Sequence, residues 1–141
     1  MRRQASAKWE GNLKNGKGAI TTDSGALART PYSFGTRFEN ELGANPEELL
    51  AAAHAACFSM ALAAELGASG VKPESIYTTA SVELAEQSHG FAIIHVHLDV
   101  TARLPGVDRL AFERAVNAAK EAWPISQLVK KFTMSVNLLA M

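Results

Sequence analysis

The sequence predicts an α+β fold with antiparallel sheet, and two patterns carry most of that expectation. Residues 76–84 and 92–103 alternate apolar and polar side chains with a period of two, as strands covered on one face do. Residues 45–66 open on a helix-start signal and continue as an alanine-rich apolar run. The resulting order is three strands, a helix, two strands, a helix and a strand. That is not the βαβ alternation of a nucleotide-binding fold, and no glycine-rich phosphate loop is present.

The 141 residues suit one compact domain spanning 1–141, with a real hydrophobic core. Fourteen basic and fourteen acidic side chains cancel, which argues against a nucleic-acid partner. A single cysteine, Cys57, excludes an intramolecular disulfide and fits a reducing compartment. The opening MRRQASAKWEGN has two arginines with no apolar run behind them, so it does not read as a signal peptide.

Residues 7–23, AKWEGNLKNGKGAITTD, give two strand-like runs around Asn15-Gly16, a strong hairpin dipeptide. Tyr32 to Phe38 reads as a third strand. Asn45-Pro46-Glu47-Glu48 then supplies a cap, a proline at the first helical position and acids in the first turn. The helix is expected to run to Leu66 and stop at Gly67. Its segment Leu49–Leu66 is the one membrane candidate, but it carries His54 and Glu65 behind a charged start, so we expect a packed core helix and no membrane partner.

Ile76, Thr78, Ala80, Val82 and Leu84 share one face of the next strand. Ala92, Ile94, Val96, Leu98, Val100 and Ala102 share one face of the strand after it, with His95, His97, Asp99, Thr101 and Arg103 opposite. Asp108 caps a second helix carrying Leu110, Phe112, Val116 and Ala119, which ends before Pro124. A short helix, ISQLVKK (125–131), and a closing strand, FTMSVNLLA (132–140), complete the chain.

Three groups could carry chemistry. His95 and His97, with Asp99 next along, could ligate a metal, but no fourth ligand is evident and a solvated strand face is the plainer reading; we expect no metal. His54 lies one turn before Cys57, so a Cys–His pair for acyl transfer is conceivable. A histidine in an alanine-rich helix is more often a structural hydrogen-bonder, and nothing nearby marks an oxyanion hole. Third, apolar surroundings disfavour a thiolate, so a reactive Cys57 needs a cation and the cation needs a carboxylate to hold it. Arg37 and Glu47 are available for those roles. Each also has an ordinary one, as surface cation and as helix N-terminal acid.

Residues 37–62, RFENELGANPEELLAAAHAACFSMAL, strongly resemble the OsmC/Ohr family of thiol-dependent hydroperoxide reductases, the OsmC branch in particular. WEG at 9–11, GKG at 16–18, PYSF at 31–34, LPGVD at 104–108 and PISQ at 124–127 extend the resemblance across nearly the whole chain. The resemblance implies antiparallel sheets around a central cysteine-bearing helix, in an intertwined homodimer with its active site at the interface. It makes Cys57 the peroxidatic cysteine, with Arg37 and Glu47 as the residues that orient and activate it. Organic hydroperoxides and hydrogen peroxide are the implied substrates, a thiol or a dithiol such as a lipoyl group the reductant, and no cofactor is implied. The branch is usually cytoplasmic and tied to osmotic or oxidative stress.

The chain departs from the family pattern at one place. Trp123, before Pro124, stands where a resolving cysteine is expected. The chain can therefore form a sulfenic acid but not condense it with a second thiol of its own. Three readings follow: a one-cysteine peroxidase served by an external thiol, a degenerate binding or structural dimer whose pocket Trp123 fills, or other cysteine chemistry. Trp123 also has a plain reading as a core anchor. Glu47 and Cys57 are ten residues apart, about 15 Å along a straight helix; either a site assembled from both subunits or a sharp bend in the helix would bridge that gap, and we expect the former.

Overall fold

The computed structural model describes residues 1–128 and 133–139. The elements are β1 (Ala5–Glu10), β2 (Lys17–Thr22), β3 (Thr30–Tyr32), α1 (Phe34–Phe38), α2 (Pro46–Ala68), β4 (Ser75–Gln87), β5 (Gly90–Arg103), α3 (Arg109–Ala122), α4 (Pro124–Leu128) and β6 (Thr133–Leu139). The chain divides into two compact units, Met1–Leu49 and Leu50–Met141. Of the expected closing elements, residues 129–131 of the short helix, and 132 and 140 of the last strand, lie outside the described residues.

In the first unit β1, β2 and β3 form an antiparallel sheet in that order. The expected hairpin exists, but its turn is longer than the Asn15-Gly16 dipeptide, because the pairing ends at Glu10↔Lys17. Asn12 opens the turn: its side-chain oxygen accepts from the Asn15 N–H at 2.8 Å and its carbonyl from the Gly16 N–H at 2.8 Å. A Cβ at position 16 would strike the carbonyls of Asn12 and Glu10, so close backbone approach is what requires glycine there.

The third expected strand is cut short. Only Thr30–Tyr32 pairs, and Phe34–Phe38 is a helix. Ser33 and Thr36 form a reciprocal capping box: the Thr36 N–H donates to the Ser33 hydroxyl at 3.2 Å, and the Ser33 N–H to the Thr36 hydroxyl at 2.9 Å. Local capping thus overrides the strand preference of the aromatic residues around it.

α2 begins as the sequence predicts. Asn45 caps it, its side-chain oxygen accepting from the Glu48 N–H at 2.8 Å while its amide donates to the Thr36 carbonyl at 3.1 Å. Asn45→Ala is expected to lower unfolding free energy by about 1 kcal/mol, read by urea denaturation. The helix ends later than Gly67. Gly70, at φ +77°, takes the left-handed position, Val71 N–H bonds to the Leu66 carbonyl and Gly70 N–H to that of Gly67, both at 3.0 Å. This is a Schellman end.

The second unit's sheet has the order β4-β5-β6. β4 and β5 pair antiparallel, but β5 and β6 pair parallel, His97↔Thr133 through Arg103↔Leu139. The sheet is therefore mixed rather than antiparallel. α3 and α4 supply the crossover that a parallel neighbour requires. Alternation along β4 holds, whereas along β5 it breaks at Ile94. Glu83 pairs with His95 but Leu84 with Ile93, so Ile94 is bulged out and Ile93, not Ile94, sits opposite Leu84.

The core of this unit joins Phe58, Leu62 and Leu66 of α2 to Leu98 and Val100 of β5 and Phe112 of α3. Asp108 caps α3 as expected, accepting from the Ala111 N–H at 2.8 Å. Of the apolar residues this helix carries, Leu110 is 56% exposed, in the first helical turn.

Candidate active site

α1 and the start of α2 bring Arg37 and Glu47 together within the first unit. Arg37 Nε donates to both Glu47 carboxylate oxygens at 3.2 Å, and Nη2 donates to Oε1 at 2.8 Å. Such a fork fixes the plane of the guanidinium as well as its position. The Glu47 side chain is 11% exposed and lies in the first turn of α2, where a helix favours an anion. The guanidinium carbon stands 5.1 Å from the centre of the Phe38 ring, a cation–π contact. Arg37 thus sits on a helix rather than on the expected strand, and the expected Arg–Glu pair forms within a single chain. Its hydrogen bonds leave Nη1 available to a ligand.

A cavity of about 220 Å³ adjoins this cation, lined by Trp9, Tyr32, Phe34 and Phe38 together with Leu13 and Ser33. The sequence reading did not single out those rings as a site. The signal was there in the interval from PYSF to Phe38, three aromatics next to the arginine already under suspicion.

In the second unit, Cys57 is half-buried on α2. It flanks the buried stripe formed by His54, Phe58, Ala61, Leu62 and Leu66. His54, 1% exposed, belongs to that stripe, and burial pushes its pKa below the ordinary histidine value. It is thereby held neutral at physiological pH, as a packed residue and not as a base poised to titrate. The unfolded chain takes up a proton at about pH 6.5, so His54 leaves stability intact above that pH and erodes it as pH falls towards the folded value. The urea midpoint should therefore drop between about pH 7.5 and pH 5.5, and more steeply in the wild type than in His54→Leu.

Trp123 is the C-cap residue of α3, extended before Pro124, and it packs partly buried against the core. Its indole Nε1 donates to Glu65 Oε1 at 3.1 Å. In the sequence Glu65 signals only that α2 does not span a membrane. Its position seven residues after Phe58 and four after Ala61 sets it half-buried beside that stripe, where a carboxylate gains from a donor.

The histidine ladder on β5 is tied to β6. The Thr133 hydroxyl lies 2.9 Å from His95 Nε2 and 2.5 Å from His97 Nδ1, and Ser135 lies 2.9 Å from His97 Nε2. Asn137 donates to Asp99 at 3.1 Å. Among the described residues no group of three or more histidine, cysteine or acidic side chains could hold a metal ion.

Comparison with known proteins gives a coherent result. Residues 38–138 match the family model described as OsmC-like protein, a span that includes Glu47, Cys57 and Trp123 and begins one residue after Arg37. The chain is 48% identical over 130 residues to "Peroxiredoxin OsmC" of Escherichia coli (strain K12), covering 92% of this chain and 91% of that one. It is 32% identical over 113 residues to "Organic hydroperoxide resistance protein OhrB" of Bacillus subtilis (strain 168), covering 80% and 82%. The crystal structure of the Bacillus subtilis OhrB protein superposes with a TM-score of 0.67 at 25% identity, over 96% of this chain and 97% of that one. The OsmC-like protein from Mycoplasma pneumoniae, at 12% identity, shares the fold with a TM-score of 0.76, over 99% and 98%.

Proposed function

Because the chain belongs to the OsmC-like protein family, we propose that it is a thiol-dependent peroxidase that reduces organic hydroperoxides, and hydrogen peroxide, through Cys57. The observation that carries the reading is the pinned guanidinium. Arg37, forked onto Glu47, offers an oriented cation of the kind a thiolate and a departing alkoxide both need.

The Cys57 thiolate attacks the terminal oxygen of the hydroperoxide. An S–O bond forms, the O–O bond breaks, and the alkoxide leaves as the alcohol after taking a proton. The resulting sulfenic acid is attacked by an external thiol, releasing water and forming a mixed disulfide. A second thiol then frees Cys57. A dithiol suits this step, because the protein has no other cysteine to make the second attack. A single cysteine and a thiol reductant both support a reducing compartment, the cytoplasm.

The working unit is a homodimer. An 18-residue stretch of α2 has a mean hydropathy of 1.6, yet the helix is buried only along one stripe, with Met60 71% exposed on another side. A second copy would cover that apolar face. Ten residues of straight helix rise by about 15 Å, which supports a site in which the partner subunit's Arg37 serves Cys57.

The test is intact-mass analysis after one equivalent of an alkyl hydroperoxide, with Cys57→Ser as control. Rapid stoichiometric oxygen uptake confined to the wild type supports the peroxidase. No reaction would leave a binding or structural dimer, the reading that the Glu65-anchored Trp123 would then fit.

A further inference from the structure

We propose that Asn45 is the positioning residue that sets Arg37 against Glu47, and through that pair governs how readily Cys57 reacts with hydroperoxide; this rests on Arg37 being the guanidinium of the peroxidase. α1 has five residues, too few for a helix to hold itself by its own hydrogen bonds. Bonds from outside α1 therefore decide where Arg37 stands. The peptide group joining Thr36 to Arg37 is held at both ends. Its N–H, from Arg37, donates to the Ser33 carbonyl at 3.2 Å, and its carbonyl, from Thr36, accepts from the Asn45 side-chain amide at 3.1 Å. That carbonyl is among those a helix leaves without an intrahelical donor at its C-terminal end, and Asn45 supplies the donor.

The same residue anchors the other half of the pair. Asn45 Oδ1 accepts from the Glu48 N–H at 2.8 Å, and the Asn45 backbone carbonyl accepts from the Leu49 N–H at 3.2 Å, so the turn that carries Glu47 is fixed to Asn45. One planar amide thus ties together the two elements whose side chains meet in the fork. The connecting loop comes close enough because Gly43, at φ +150°, has no Cβ; one would stand 2.8 Å from Thr36 Cγ2. A cap alone does not ask for asparagine, since aspartate and serine cap a helix about as well. Neither can replace the tie to α1. A carboxylate only accepts, and a serine has one oxygen where the amide has two polar atoms pointing apart. Asn45→Ser and Asn45→Asp therefore keep the cap and lose the bond to Thr36.

The experiment makes both substitutions in the full-length protein, each with and without Arg37→Ala, and reads two quantities. The first is the Arg37 Nε–H resonance in NMR, whose proton the two bonds to Glu47 protect from exchange with solvent. Both variants should lose that protection while keeping urea midpoints above that of Asn45→Ala. The second is the rate constant for oxidation of Cys57 by an alkyl hydroperoxide. Each variant should lower it about tenfold where Arg37 is present, and by less than about twofold where Arg37 is already alanine, because residues that act through one another are not additive. An Nε–H resonance unchanged in both variants, or the same fold loss of rate with and without Arg37, overturns the proposal. Failure of the peroxidase reading is a separate outcome, a wild-type Cys57 that peroxide does not oxidise, and the NMR measurement still decides the role of Asn45 in that case.

Discussion

Replacing Cys57 by serine abolishes hydroperoxide reduction, and replacing Arg37 by alanine lowers kcat/KM by about 10²–10³. A serine hydroxyl stays protonated at neutral pH and makes no sulfenic acid, so nothing replaces the first variant's chemistry. The second variant keeps the thiol but removes the cation that meets charge on sulfur and on the departing oxygen. Arg37→Lys should fall between wild type and alanine, since an ammonium restores the charge without the two-point fork onto Glu47. Glu47→Gln should lose less than Arg37→Ala, because the guanidinium remains but is less firmly oriented.

Mixed dimers separate the two possible sources of the guanidinium. One subunit carries Cys57→Ser and the other Arg37→Ala. If Arg37 acts across the interface, the remaining thiol meets an intact guanidinium, and the mixed dimer keeps one working site, half the wild-type rate. If Arg37 acts on its own subunit's thiol, the mixed dimer keeps a single impaired site, half the rate of the Arg37→Ala homodimer. Half activity supports assembly from two subunits, and its absence rules that out.

What the sequence revealed of this site followed local signals. Asn45, Pro46 and Glu47 marked the start of α2 because capping is decided within one helical turn, and the Arg37–Glu47 pair could be suspected from charge needs alone. Arg37 itself was placed on a strand. Its neighbours Tyr32, Phe34 and Phe38 favour sheet, and the capping box that turns them helical uses Thr36 where glutamate or glutamine is the usual signal. Long-range pairing was the other blind spot. Neither the parallel partner β6 nor the bulge at Ile94 leaves a mark in periodicity, since both are settled by which strand lies alongside. The bond between Trp123 and Glu65 spans 58 positions, and it became visible only once α2 had a buried side.

That bond bears on the fate of oxidised Cys57. Without an external thiol, excess peroxide should carry Cys57 through sulfenic to sulfinic acid, a gain of two oxygens and about 32 Da, and end activity irreversibly. A cysteine at position 123 is the obvious protection, because an internal disulfide would intercept the sulfenic acid, given Cα atoms within about 7 Å. Trp123→Cys alone has a handicap. It takes the indole donor from Glu65 and sets the new thiol beside a part-buried carboxylate, which disfavours the thiolate that must attack. Glu65→Gln combined with Trp123→Cys removes that charge and should close the disulfide faster than Trp123→Cys alone. Thiol counts and intact masses through repeated peroxide additions give the ranking: wild type overoxidises first, Trp123→Cys next, the double variant last. If the wild type survives those cycles unreduced, or the double variant reaches sulfinic acid as fast as the wild type, Trp123 does not occupy a resolving position. The single-cysteine cycle must then be given up.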